Sequence, residues 1–201
     1  PVVGVFGPTA ETGVRSDMAA FEHGLADGGF VVGRTVAIEK RWAEDQAARL
    51  PGLAADLVNR KVAVLFAAGG TGTARAAQRA TSTIPVVFVV ASDPVRTGLV
   101  TSINRPGGNL TGVASFTDTL ITKRLELLRE FLPDRNAAVL LVNPDNPNTP
   151  QRIADMRSAA RQLKMELEVL QARSVADFDP AFAEANRRGR APVVVQNEIP
   201  F

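Results

Sequence analysis

The sequence predicts an α/β protein of two doubly wound parallel-sheet lobes, the second of them incomplete. Three observations lead there. The first is the run Lys61 to Pro94, where Lys-Val-Ala-Val-Leu-Phe-Ala-Ala, Gly69-Gly70-Thr71-Gly72-Thr73, a short helical stretch, Ile84-Pro-Val-Val-Phe-Val-Val and Ser92-Asp93-Pro94 follow one another. Two apolar runs rich in β-branched residues, with one helix between them, make a βαβ unit whose sheet is buried on both faces. The second is that segments before and after repeat this unit. The third is that the pattern loosens after Asp93 and starts afresh at Ala137, which puts a seam near residues 114 to 120. The lobes are expected at residues 1–116 and 117–201.

In order, Val2 to Phe6 is the first strand, ending in the loop Gly7-Pro8-Thr9-Ala10-Glu11-Thr12. A helix follows with Met18, Phe21 and Leu25 on one face, stopped by Gly28-Gly29. Thr9 and Thr12 are of the type that caps a helix N-terminus or presents a hydroxyl to a ligand. His23, the single histidine, lies about 200° round the helix from Phe21 and points to solvent. Thr35 to Trp42 alternates as a strand near a sheet edge. Leu50, Leu53, Ala54, Leu57 and Val58 follow the i, i+3, i+4, i+7, i+8 rule of a helix with one apolar face. After the central unit come a turn cluster, Asn104 to Asn109, and a fifth strand, Leu110 to Phe116. A helix then carries Ile121, Leu125, Leu128 and Leu132. The second lobe reads as strand Ala137–Val142, polar loop Asn143–Asn148, helix with Ile153, Met156, Ala160 and Leu163, strand Met165–Leu170, helix with Val175, Phe178 and Phe182, and strand Pro192–Val195. The sequence stops at Ile199-Pro-Phe201, in the loop after that strand. Three strands in about 85 residues are few for such a lobe and leave a strand edge unpaired.

Composition removes several classes of function. Of the 201 residues, 45% are apolar and 22% charged, a globular balance. The formal charge of +2 arises from bases and acids that alternate instead of forming a stripe, and aromatics are 5%, so no nucleic-acid footprint exists. The absence of cysteine excludes thiolate catalysis, disulfides and thiolate-ligated metal. No apolar run reaches about 18 residues, the length of a membrane span. The chain opens directly on a strand with no initiator Met, as after removal of a signal segment.

The loops at the carboxyl ends of parallel strands are where ligands sit in such sheets. Gly69 to Thr73 joins a strand to a helix and offers backbone N–H groups suited to a carboxylate or phosphate. It lacks the Gly-Lys-Ser/Thr of a Walker loop and the position of a dinucleotide fingerprint, and its glycines also read simply as turn residues. Asp93, before Pro94, reads either as a carboxylate for an ammonium group or as a helix cap. Asn143, Asp145 and Asn146 read either as ligand amides or as turn formers. One carboxylate among amides makes a poor cation site. One outward histidine, no cysteine and no Gly-x-Ser-x-Gly elbow leave no catalytic group to nominate.

Val36-Ala-Ile-Glu-Lys-Arg-Trp-Ala-Glu44, Arg49-Leu-Pro-Gly-Leu-Ala-Ala-Asp-Leu-Val58, Ala67-Ala-Gly-Gly-Thr71, Ile84-Pro-Val-Val-Phe88, Asp93-Pro94, Asn104-Arg-Pro-Gly-Gly-Asn-Leu-Thr-Gly-Val113, Lys123-Arg-Leu-Glu-Leu-Leu128 and Leu141-Val-Asn-Pro-Asp-Asn-Pro-Asn148 together give the chain a family likeness over its whole length. It closely resembles the ABC-transporter substrate-binding proteins with the type I periplasmic-binding fold. The resemblance implies a secreted receptor, periplasmic or lipid-anchored, of two lobes and a hinge. Such a receptor closes on a small solute, in some relatives an aromatic amino acid, and hands it to a membrane permease without cofactor, metal or turnover. Carried over by position, the cleft is lined by Pro8, Thr9, Gly69, Gly70, Thr71, Ser92 and Asp93, by Ser115 and Phe116 at the hinge, and by Asn143 and Asn146 from the second lobe. Family members continue well past Phe201, so relative to them the sequence is truncated: a fragment, or a chain that another copy completes. A molecule of 201 residues would have a weakened solute site, an exposed edge and a tendency to self-associate. The ligand-sensing core of a transcriptional regulator and a flavodoxin-like nucleotide enzyme are the competing readings. The first needs a DNA-binding segment upstream of Pro1, the second phosphate binding at Gly69 to Thr73.

Overall fold

The computed structural model describes residues 1–187 and 191–196; the expected end loop Ile199–Phe201 lies outside them. The chain divides into two compact units, one holding Pro1–Ser115 and the other beginning at Phe116.

In the first unit five strands form one parallel sheet: β1 (Val2–Gly7), β2 (Ala37–Trp42), β3 (Val64–Ala67), β4 (Val86–Val90) and β5 (Leu110–Ala114), in the order β2-β1-β3-β4-β5. Helices α1 (Arg15–Asp27), α2 (Leu50–Asn59) and α3 (Thr71–Ala80) make the crossovers. Alternation along the strands feeds two cores. Val3 and Val5 face α1 with Met18, Val36 and Trp42, and Phe21 of α1 stacks on Phe66 with ring centroids 4.6 Å apart. Phe6, Leu65, Val86 and Phe88 face the other way, against Leu50, Ala54 and Leu57 of α2 and Ala74 and Ala77 of α3.

β2 stands at the sheet edge, as its half-polar alternation predicts. It starts at Ala37, two residues later than the periodicity suggests, because the N–H groups of Thr35 and Val36 both turn back to the Val31 carbonyl. His23 is 80% exposed on α1, 3.3 Å from Asp27. The threonines before α1 do not cap it: Ala10 and Val14 hold the cap positions of the short 3-10 turn and of α1, and neither makes a side-chain cap.

The second unit has β6 (Ala137–Val142), β7 (Glu166–Gln171) and β8 (Val193–Val195) in the parallel order β7-β6-β8, with helices α4 (Ile121–Phe131), α5 (Thr149–Gln162) and α6 (Phe178–Arg187). Ile121 and Leu125 of α4 and Met156 and Ala160 of α5 pack with Ala138, Leu140 and Val142 of β6. Leu141, Ala172 and Ala181 form the core of the opposite face, with Phe178 beside them. Three expected core positions are corrected here. Leu132 falls just past the end of α4 and is 40% exposed, and α6 buries Ala181 and Ala185 while its Phe182, and Val175 in the 3-10 turn before it, face out. In α6 the small residues lie against the sheet because they allow close approach, so residue size misleads a face chosen by hydrophobicity alone.

Candidate functional site

In a sheet of order 2-1-3-4-5 the chain leaves β1 towards β2 on one side and returns to β3 on the other. The crevice beyond the carboxyl ends of β1 and β3 is therefore a switch point, where no crossover covers the strand ends. The loops there are Gly7-Pro8-Thr9 and Ala68-Gly69-Gly70. They lie in contact: a Cβ on Gly69 would stand 2.4 Å from Pro8 Cδ, and its φ of +106° is open only to glycine at low cost. Gly70, with φ +97°, is the N-cap of α3, and its N–H reaches the Val89 carbonyl at 3.2 Å. The chain thus passes from β3 into α3 in two glycines. α3 begins directly at the switch point with Thr71.

The next carboxyl end belongs to β4. Its Ser92 Oγ lies 2.7 Å from Thr71 Oγ1, both side chains buried. Thr73 Oγ1, one step further into α3, is buried without a hydrogen-bond partner, and sequence reasoning singled it out only as part of the glycine run. Asp93 Oδ1 accepts the N–H groups of Val95 at 2.8 Å and Arg96 at 3.2 Å, so the capping half of its double reading is realised on a single turn closed by Thr97 N–H to Asp93 O. Ser115, exposed, follows β5, and its N–H donates to the Val90 carbonyl. Phe116 opens the second unit half-buried, with a left-handed φ of +55°. Among the predicted residues of the first lobe, Pro8 meets Gly69 and Thr71 meets Ser92. Thr9, half-buried, follows Pro8 in the β1 loop.

In the second unit the switch point falls between β6 and β8. Asn143 follows β6, and its Oδ1 accepts the Asp145 N–H at 2.9 Å; Asn146 Oδ1 accepts the Asn148 N–H at 2.8 Å. Both asparagines are half-buried Asx-turn formers. The residue missed by sequence reasoning is Gln196, directly after β8 and 3% exposed, with its side-chain oxygen 3.2 Å from Thr149 Oγ1. Its position was legible as the first residue after the third strand, the counterpart of Ala68 after β3, but no pattern of residue types marked it.

No group of three or more His, Cys, Asp or Glu side chains among the described residues could hold a metal ion, and none of their helices is long and apolar enough to cross a membrane. The glycine loop, the buried hydroxyl pair and the N-terminus of α3 form a set of donors and small residues, suited to the head group of a small polar molecule and not to proton transfer.

Known proteins resemble the chain in sequence and in fold. The chain is 28% identical over 147 residues to a tyrosine-binding protein of Clostridioides difficile, covering 73% of this chain and 42% of the relative. A conserved domain protein from Vibrio cholerae superposes with a TM-score of 0.79 at 25% identity, over 93% of this chain and 62% of the other. The ABC domain from Streptococcus pneumonia in complex with L-Trp superposes with a TM-score of 0.81 at 19% identity, over 98% and 65%. The chain therefore spans less than half of the curated relative and a little under two thirds of each of the two solved structures. Its two parallel α/β units have the fold of type I periplasmic binding proteins. The family model described as ABC transporter substrate binding protein matches residues 3–199, and the chain belongs to that family.

Proposed function

We propose that this chain forms the solute-receiving part of an ABC importer's receptor, and that its solute is an amino acid with an aromatic side chain. The observation that carries the proposal is the switch point of the first sheet, where Gly69, packed on Pro8, and Gly70, with open space where a Cβ would stand, lead into α3 beside the buried Thr71–Ser92 pair. The first N–H groups of a helix have no partner inside it and favour negative charge. There the α-carboxylate binds. Asp93 receives the ammonium group, while its Oδ1 continues to hold the turn in shape. Thr9 and Ser115 complete the first lobe's contacts, Phe116 is the hinge residue, and Asn143 and Asn146 are the contacts assigned to the second lobe. The aromatic preference is supported by the tyrosine-binding relative and by the L-Trp complex of a structural neighbour.

The receptor works outside the cytoplasm after loss of a signal segment and delivers its solute unchanged to a membrane permease. By itself the chain associates with a second copy through the edge of β8 that no strand among the described residues pairs. Titration calorimetry with each of the common amino acids tests the solute. Tyrosine, tryptophan or phenylalanine binds best, and mass spectrometry recovers the ligand intact. Absence of binding by any amino acid, or conversion of one, would contradict the proposal.

A further inference from the structure

We propose that Gln196 is a positioning residue of the second lobe's loop, with its amide nitrogen donating to Thr149 Oγ1 and Thr149 in turn donating to the Asn143 carbonyl. The inference rests on the solute role proposed above for Asn143 and Asn146. It follows from a count of protons. A threonine hydroxyl has one proton and two lone pairs. Thr149 Oγ1 lies 2.5 Å from the Asn143 carbonyl oxygen, which can only accept, so the proton is committed there. The Gln196 atom 3.2 Å from the same hydroxyl would then be an oxygen facing an oxygen, while Gln196 Nε2 lies buried with no partner. Turning the amide by about 180° about its last torsion places the N–H₂ group against the hydroxyl's lone pair. This replaces buried, unpaired N–H groups with one under-used carbonyl, the less costly defect.

The relay Gln196–Thr149–Asn143 joins three segments at the second switch point. Gln196 is anchored by its own N–H to the Leu141 carbonyl at 2.9 Å. Thr149 is the first residue of α5, and its N–H donates to the Asn146 carbonyl at 3.0 Å. The Asn143 carbonyl is fixed by the relay, and the Asn143 side chain shapes the next turn through Asp145. Gln196 therefore sets the loop that presents Asn143 and Asn146 without itself touching solute.

The test is amide exchange by NMR on the ¹⁵N-labelled chain, with the Gln196 side-chain signal assigned by its loss in Gln196→Met. One Gln196 amide proton is expected to exchange slowly in the unaltered chain and in Thr149→Ser, and about three- to tenfold faster in Thr149→Val, the factor that one net hydrogen bond supplies. The backbone signals of Asp145 and Asn148 shift in Gln196→Met and Thr149→Val and stay in place in Thr149→Ser. Fast exchange of both Gln196 protons in the unaltered chain, or unmoved loop signals in Gln196→Met, overturns the proposal. Calorimetry with L-tyrosine on the same variants separates it from the functional reading. An unaltered chain that binds no tyrosine counts against that reading, while the exchange data still decide the relay.

Discussion

Gly69 and Gly72 stand three residues apart in one loop-to-helix junction, yet an added methyl group would act on them with opposite sign. Gly69→Ala puts a Cβ into Pro8 at 2.4 Å and forces a side chain onto φ +106°. We expect a loss of about 1–3 kcal/mol from the strain, read as a lower urea midpoint. Around Gly72, inside α3, nothing lies within 4 Å of an added Cβ, and Gly72→Ala should gain up to about 1 kcal/mol from helix propensity. Equal effects of the two substitutions would refute the close Pro8–Gly69 packing. The pair also shows what can be read from residue types alone. A glycine cluster after an apolar run announces a tight turn into a helix, but that Gly69 and Gly70 take positive φ, and that Gly69 is the one to meet Pro8 from about 60 residues earlier in the chain, follows only from the folded chain. The Thr71–Ser92 bond was illegible for the same reason. Each residue was legible as a strand-end polar group, whereas their pairing is a consequence of strand order.

At the scale of elements, the polar half of β2 explains how an edge strand is held to its crossover helix. Arg41 Nε donates to Asp56 Oδ2 at 2.8 Å, Arg41 also reaches Glu39 at 3.0 Å, and Arg60 joins the same Asp56 from one turn further along α2. The Arg41 hydrogen bond first, and then that from Arg60, hold the Asp56 carboxyl below its ordinary value of 3.8. Because its folded pKa is lowered, its stabilising contribution is complete above the ordinary carboxyl range and disappears as pH falls through the lowered value. Asp56→Asn should therefore lower Tm at neutral pH, and the difference from the unaltered chain should shrink only in acid below pH 3.8. A difference that persists unchanged at low pH would refute the ion-pair account. Asp177 behaves in the same direction, since the N–H groups of Arg173 and Ser174 hold its carboxylate and lower its pKa at the entry to α6. Strand and helix identities were legible because their periods are local. The face of α6 was not, since Ala181 and Ala185 are buried by what the sheet admits and not by their own hydrophobicity.

For the whole molecule, the two sheets differ in how their edges are managed. β2 is guarded by charges, with Lys40 paired to Glu22 and Glu39 to Arg41. β8 has three valines in a row, pairs only with β6 among the described residues, and leaves Val195 39% exposed. An apolar strand with one open edge is a template for another chain, and a lysine placed on it blocks that pairing. The three described strands of the second lobe were legible by counting apolar runs; the edge position of β8 required the strand order. Sedimentation velocity of the purified chain across a wide concentration range should show a reversible shift from about 21 kDa towards twice that mass. Val195→Lys should hold it as a monomer, while Val113→Lys, on the edge strand β5 of the other sheet, should leave the association intact. A chain that stays monomeric throughout, or one dispersed by the β5 change and not by the β8 change, would remove β8 from the interface.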